Sequence, residues 1–150
     1  MRVPLEVCVD AGLIVKLVVS EPDSGQAETL YLRWLHQQIQ MIAPAFFEAE
    51  ADSIIRKKVT LRKELTPTEA DKAFAELCLL PIHQLSLPEQ RLRAWEIASE
   101  FRFPNVYDAT YLALAELRGC QFWTADQRLF NQVKDRLTFV HWLGNFQPNP

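Results

Sequence analysis

Cysteine is scarce in this chain of 150 residues: there are three, Cys8, Cys78 and Cys120. The number is odd and no two form a CxxC pair, which argues against a zinc cluster or a disulfide framework. Reduced, buried thiols in a cytosolic protein are the expectation. Long apolar runs are also lacking. No stretch approaches the ~20 residues of a membrane span, and MRVPLEVCVD at the start has no apolar core of a secretory signal. An excess of positive charge is missing too, since the net charge is −3. A nucleic-acid binder that works by bulk charge is basic. Any nucleic-acid partner must therefore meet a local basic patch or a metal ion. There is no internal repeat, low-complexity tract or linker. What remains is ordinary: 49% hydrophobic and 23% charged residues, enough for one domain with a real core.

Hydrophobic patterning gives alternating strands and helices. Leu5 to Val9 reads as a first strand buried on both faces, and Leu13 to Val19 as a short helix. A second helix runs from Gly25 to Gln37, capped by Asp23 or Ser24. Ile39 to Ile42 is a second strand, and Ala45 to Val59 a third helix. Thr66 or Thr68 opens a helix to Leu80, with Ala70, Ala73, Phe74 and Leu77 inward. Ile82 to Leu87 is a strand, and Pro88 opens a helix to Phe101. Asn105 to Asp126 then reads as helix, turn at Gly119, strand Cys120 to Trp123, and exit through Thr124. Gln127 to Lys134 is a last helix and Leu137 to Trp142 a last strand. This alternation predicts an α/β fold with a mostly parallel central sheet covered by helices on both faces.

In such sheets ligands bind beyond the carboxyl ends of the strands. Asp10 ends the first strand, and Asp126 follows the strand after Asp108. Asp108 heads an apolar stripe with Tyr111, Leu112 and Ala115. Glu50 lies in the helix after Pro44, on an apolar face with Phe46, Phe47, Ala51 and Ile54, whereas Glu48 and Asp52 point away. Four carboxylates thus belong on one edge. Together they repel one another and take up protons unless a cation intervenes. Oxygen ligands without histidine or cysteine suit Mg²⁺ or Mn²⁺ rather than zinc. Such a site fits phosphodiester hydrolysis. His36, His83 and His141 fall outside this edge.

Simpler roles stand beside this one. Asp10 and Asp126 each suit a helix N-cap, and Asp108 suits a capping box with Asn105. Glu50 suits a buried ion pair with Lys16. Arg56, Lys57, Lys58, Arg62 and Lys63 form a basic cluster fit for RNA phosphates, or equally a solvated helix end.

Cys8-Val9-Asp10-Ala11, Pro44 with Glu50, Tyr107-Asp108-Ala109 with Tyr111-Leu112-Ala113-Leu114-Ala115-Glu116, and Thr124-Ala125-Asp126 together resemble a PIN-domain ribonuclease of the VapC toxin type. The resemblance covers almost the whole chain. It implies a three-layer α/β/α domain over residues 1–146, with residues 147–150 as a tail. It also implies a metal-dependent endoribonuclease in which Asp10, Glu50, Asp108 and Asp126 are the metal-binding, catalytic carboxylates, supported by Thr124. A homodimer and a protein antitoxin follow from the resemblance, with the helices around Ala27–Leu35 and Ala45–Ile55 as the expected contact surface. Other PIN roles are RNA maturation outside a toxin pair, or silent binding of RNA or protein. One departure stands out: Gly12 occupies a place where the family commonly has a small hydroxyl residue.

Overall fold

A computed structural model describes residues 5–148. Within them, five strands run parallel: β1 (Glu6–Val9), β2 (Gln40–Pro44), β3 (Ile82–Leu85), β4 (Gln121–Thr124) and β5 (Val140–Trp142). Seven α-helices connect them: α1 (Ala11–Val15), α2 (Ser24–His36), α3 (Phe47–Thr60), α4 (Pro67–Leu77), α5 (Gln90–Glu100), α6 (Tyr107–Arg118) and α7 (Gln127–Val133). A 3-10 turn at Leu143–Asn145 follows β5. The expected mostly parallel sheet is thus parallel throughout the described residues.

The inner strands β1 and β2 are buried on both faces because helices cover both. Phe122 of β4 packs against Tyr111 of α6, with ring centroids 5.6 Å apart. Its neighbour Trp123 points the other way, to Trp34 of α2 at 6.4 Å. Successive strand residues alternate faces, so each must find its own layer of core.

Sheet order is β3-β2-β1-β4-β5. The chain steps outward from β1 to β2 and β3, then returns across the sheet to β4 on the other side of β1. The reversal lies between β1 and β4, and ligands bind at such a switch, beyond the strands' carboxyl ends. Asp10 stands directly after the first of those ends and Asp126 two residues after the second.

Several boundaries move from the pattern-based expectation. Leu5 lies outside β1 and is exposed. The first helix begins directly after Asp10 and stops at Val15. Thr66, not Thr68, opens α4, through a reciprocal capping box with Glu69. Phe74, expected inward, is exposed, while Ala70, Ala73 and Leu77 are buried. On α3 the buried stripe is Phe47, Ala51, Ile55 and Lys58, with Phe46 and Ile54 at its half-buried flank. The last strand starts only at Val140. Of the expected tail, Gln147 and Pro148 are described, and the Pro148 carbonyl accepts a hydrogen bond from Arg33 at 2.9 Å. Asn149 and Pro150 lie outside the described residues, as do residues 1–4. No helix among the described residues is long and apolar enough to cross a membrane.

Candidate active site

Asp10 leaves β1 in an extended conformation and caps α1: the Leu13 amide donates to its Oδ1 at 2.7 Å. Its Oδ2 accepts from the Thr124 hydroxyl at the end of β4. The same Thr124 oxygen accepts the Asp126 amide at 2.9 Å. Thr124 is fully buried, so one hydroxyl ties the ends of β1 and β4 together. Asp126 in turn caps α7 through the Leu129 amide at 3.2 Å. Both capping expectations therefore hold. They leave room for a second role, because an ionised carboxylate has about four acceptor sites.

The other two carboxylates are not explained by capping or pairing. Glu50 does not meet Lys16, which pairs with Glu21 at 2.7 Å and Asp23 at 2.8 Å. Glu50 Oε1 instead accepts the Tyr111 hydroxyl at 2.9 Å. Nor does Asp108 join a capping box. The Asn105 side chain accepts from the Tyr107 amide at 3.2 Å, and α6 has no side-chain cap. No described residue donates a hydrogen bond to the Asp108 carboxylate.

Asp10, Glu50, Asp108 and Asp126 line one cavity of about 430 Å³, with Gly12, Lys57 and Arg62 among its other walls. Lys16 and Lys58 also line the cavity, but their charges are taken up by Glu21, Asp23 and Glu64 rather than by the four carboxylates. Asp10 is pushed up from 3.8 to about 6, by burial first and by Asp108 and Glu50, against the opposing hydrogen bonds from Thr124 and Leu13. Glu50 is raised by desolvation and by Asp108, despite the Tyr111 hydroxyl and Lys57. Asp108 is raised by partial desolvation and by Asp126, both screened by water because its side chain is exposed. These carboxylates raise one another, as like charges sharing a site do.

That donor set fits a hard divalent cation, which would relieve the repulsion and bind oxygen only. As the side chains stand, no three His, Cys, Asp or Glu among the described residues are gathered as a ready cage for an ion.

The basic cluster divides. Lys58 is buried, and its ammonium sits 2.6 Å from Glu21 and 3.1 Å from Glu64. It holds the α1–α2 and α3–α4 connections against α3, and it also lines the cavity, with its charge already paired. Lys57 and Arg62 line the cavity and make no ion pair among the described residues. Arg56 and Lys63 are exposed and do not line it. His36, His83 and His141 are also outside it; His141 stacks on Trp123 at 5.0 Å.

Two features escaped the sequence reading. Lys58 continues the stripe Phe47, Ala51, Ile55, a periodicity that marks it as buried. Tyr111 was legible as a core residue but not as the donor to Glu50. Its signal was a hydroxyl within an apolar stripe, since a buried tyrosine O–H needs a partner. Gly12 is not required by sterics: a Cβ there would meet only Asp10 Oδ1, at an ordinary 3.8 Å.

The sequence profile of the PIN domain matches residues 7–136. Curated proteins named Ribonuclease VapC3, from two strains of Mycobacterium tuberculosis, are each 32% identical over 126 residues, spanning 84% of this chain and 86% of theirs. A crystal structure of Mycobacterium tuberculosis VapC20, described as a sarcin-ricin loop cleaving toxin, matches with a TM-score of 0.54. At 17% identity, over 79% of this chain and 87% of that one, it is a likeness of fold.

Proposed function

Because this chain belongs to the PIN-domain family, we propose that it is a divalent-metal-dependent endoribonuclease, the toxin of a toxin–antitoxin pair. The observation that carries the reading is the meeting of four carboxylates from β1, α3, α6 and the end of β4 in one cavity at the sheet's switch point. The ribonuclease name of the relatives at 32% identity supports the substrate class.

Asp10, Glu50, Asp108 and Asp126 would hold Mg²⁺ or Mn²⁺. When bound, the ion supplies water activation and neutralises charge at the phosphoryl group. The chain supplies the rest. Thr124 and the Leu13 amide fix Asp10 in one orientation. Asp108, which accepts no hydrogen bond from a described residue, keeps its oxygens free for the site. Lys57 and Arg62, in the same cavity lining, attract the RNA backbone and hold phosphates beside the scissile one, a sequence-independent, salt-sensitive role. Arg56 and Lys63, farther out, extend this positive surface.

The same reading brings two protein partners, a second copy of the chain and a small antitoxin near the acidic cavity. Exposed Leu32 and Leu35 on α2 support a contact surface there. The test is cleavage of total RNA with Mg²⁺, Mn²⁺ or EDTA, for wild type and Asp108→Asn. Metal-dependent cutting by wild type, lost in the variant, supports the reading. Equal cutting by both proteins refutes it.

A further inference from the structure

We propose that Tyr111 is a positioning residue that aims Glu50 into the cavity; this rests on the nuclease reading above and adds a residue to it. Tyr111 follows Asp108 by three positions on α6, so the two share a helix face. One helix then delivers one carboxylate directly and orients another through a hydroxyl.

The geometry is specific. Glu50 reaches the cavity on a side chain with three rotatable bonds, and α3 by itself does not fix where its carboxylate ends. The Tyr111 hydroxyl takes Oε1 at 2.9 Å. Oε2 is left for the cavity. Tyr111 is fully buried and is not itself a wall of the cavity. Its ring is held edge-on by Phe46 at 5.6 Å and tilted against Phe122 at 5.6 Å. Phe46 is braced in turn by Tyr107 at 5.4 Å. The Tyr111 carbonyl accepts the Cys8 thiol at 3.7 Å, which fastens α6 to β1 one residue before Val9 and two before Asp10. The hydroxyl therefore cannot follow Glu50 if that side chain moves; Glu50 must come to it. A tyrosine that merely needed a partner for its O–H would be served by any carbonyl. This one bonds a cavity carboxylate 61 positions away in the chain.

The test uses the full chain with Mn²⁺ alone as the probe, its affinity read by calorimetry and by electron paramagnetic resonance. Wild type, Tyr111→Phe, Glu50→Gln and the double variant are compared, with thermal melts alongside. Tyr111→Phe keeps the ring and its packing. It is expected to weaken Mn²⁺ binding by about 10- to 100-fold, the usual effect of losing a group that orients a metal ligand. In the Glu50→Gln background it is expected to cost nothing further, because its effect passes through Glu50. RNA cleavage should show the loss in kcat, with KM for RNA little changed. Wild-type Mn²⁺ affinity in Tyr111→Phe, or a loss that adds in full to that of Glu50→Gln, overturns the proposal while leaving the nuclease reading intact. Wild type that binds no Mn²⁺ overturns both.

Discussion

Replacing Asp10 by asparagine removes a carboxylate that the proposed chemistry needs, yet it should make the metal-free protein more stable. The carboxyl is raised from 3.8 to about 6, because burial and the neighbouring Asp108 and Glu50 outweigh its two hydrogen bonds. At about 1.36 kcal/mol per unit, that rise corresponds to roughly 3 kcal/mol. Its sign follows from proton binding. Between 3.8 and about 6 the folded state holds the proton more tightly than the unfolded state does. Stability therefore falls as pH rises through that window, and above it the full cost of the buried charge is present. Asparagine removes the charge and keeps an acceptor for the Leu13 amide and a polar partner for Thr124. In EDTA at about pH 7.5, Asp10→Asn should gain roughly 2 to 3 kcal/mol, or about 5 to 10 °C in melting temperature for a domain of this size. At about pH 4 the difference should shrink below ~1 kcal/mol, since the folded carboxyl is then protonated. Calorimetric melts at both pH values read this directly. Excess Mn²⁺ should reverse the order, because only wild type then gains from ion binding. An Asp10→Asn protein no more stable than wild type in EDTA at neutral pH would refute the reasoning about the acidic cavity.

Lys58→Ala should destabilise the fold by roughly 1 to 2 kcal/mol in urea titrations, because Glu21 and Glu64 lose its ammonium while Glu21 keeps Lys16 and Glu64 reaches water. Lys57→Ala and Arg62→Ala should shift stability by no more than about 0.5 kcal/mol, as surface changes do. Each should nonetheless weaken RNA binding and flatten its salt dependence, measured by fluorescence anisotropy across a salt series. Gly12→Ser should fold normally, since the new Cβ meets only Asp10 Oδ1 at 3.8 Å. Its hydroxyl lies within reach of Asp10, so the acidic limb of the pH–rate profile should move to lower pH.

Which features could be read from the chain depended on how local their causes are. Asp10 and Asp126 were legible because a strand followed by an acidic residue places that residue at the sheet's carboxyl edge. Glu50 was legible because helical periodicity separates it from Glu48 and Asp52. In the folded protein Glu48 turns away to Gln84, which donates to it at 2.6 Å, while Glu50 faces the cavity. Periodicity was less informative about what covers a face. Phe74 lies on the helix face that carries Ala70 and Ala73, but no layer closes over it. Lys58 looked like part of a solvated run because its partner Glu21 lies 37 positions earlier and only the fold brings them together. The Tyr111–Glu50 bond was hidden for the same reason. The role of Thr124 entered through family resemblance alone. Its geometry now gives it a physical basis, one buried hydroxyl joining Asp10 to the Asp126 backbone.

The account stands on a single ion site shared by carboxylates from four separate segments. A crystal soaked in Mn²⁺, examined by anomalous diffraction, tests this most directly. The account predicts a peak in the cavity within coordinating reach of Asp10 and Asp108, with Glu50 or Asp126 completing the shell directly or through water. A protein that takes up no Mn²⁺ there, or holds it elsewhere on the surface, would contradict it.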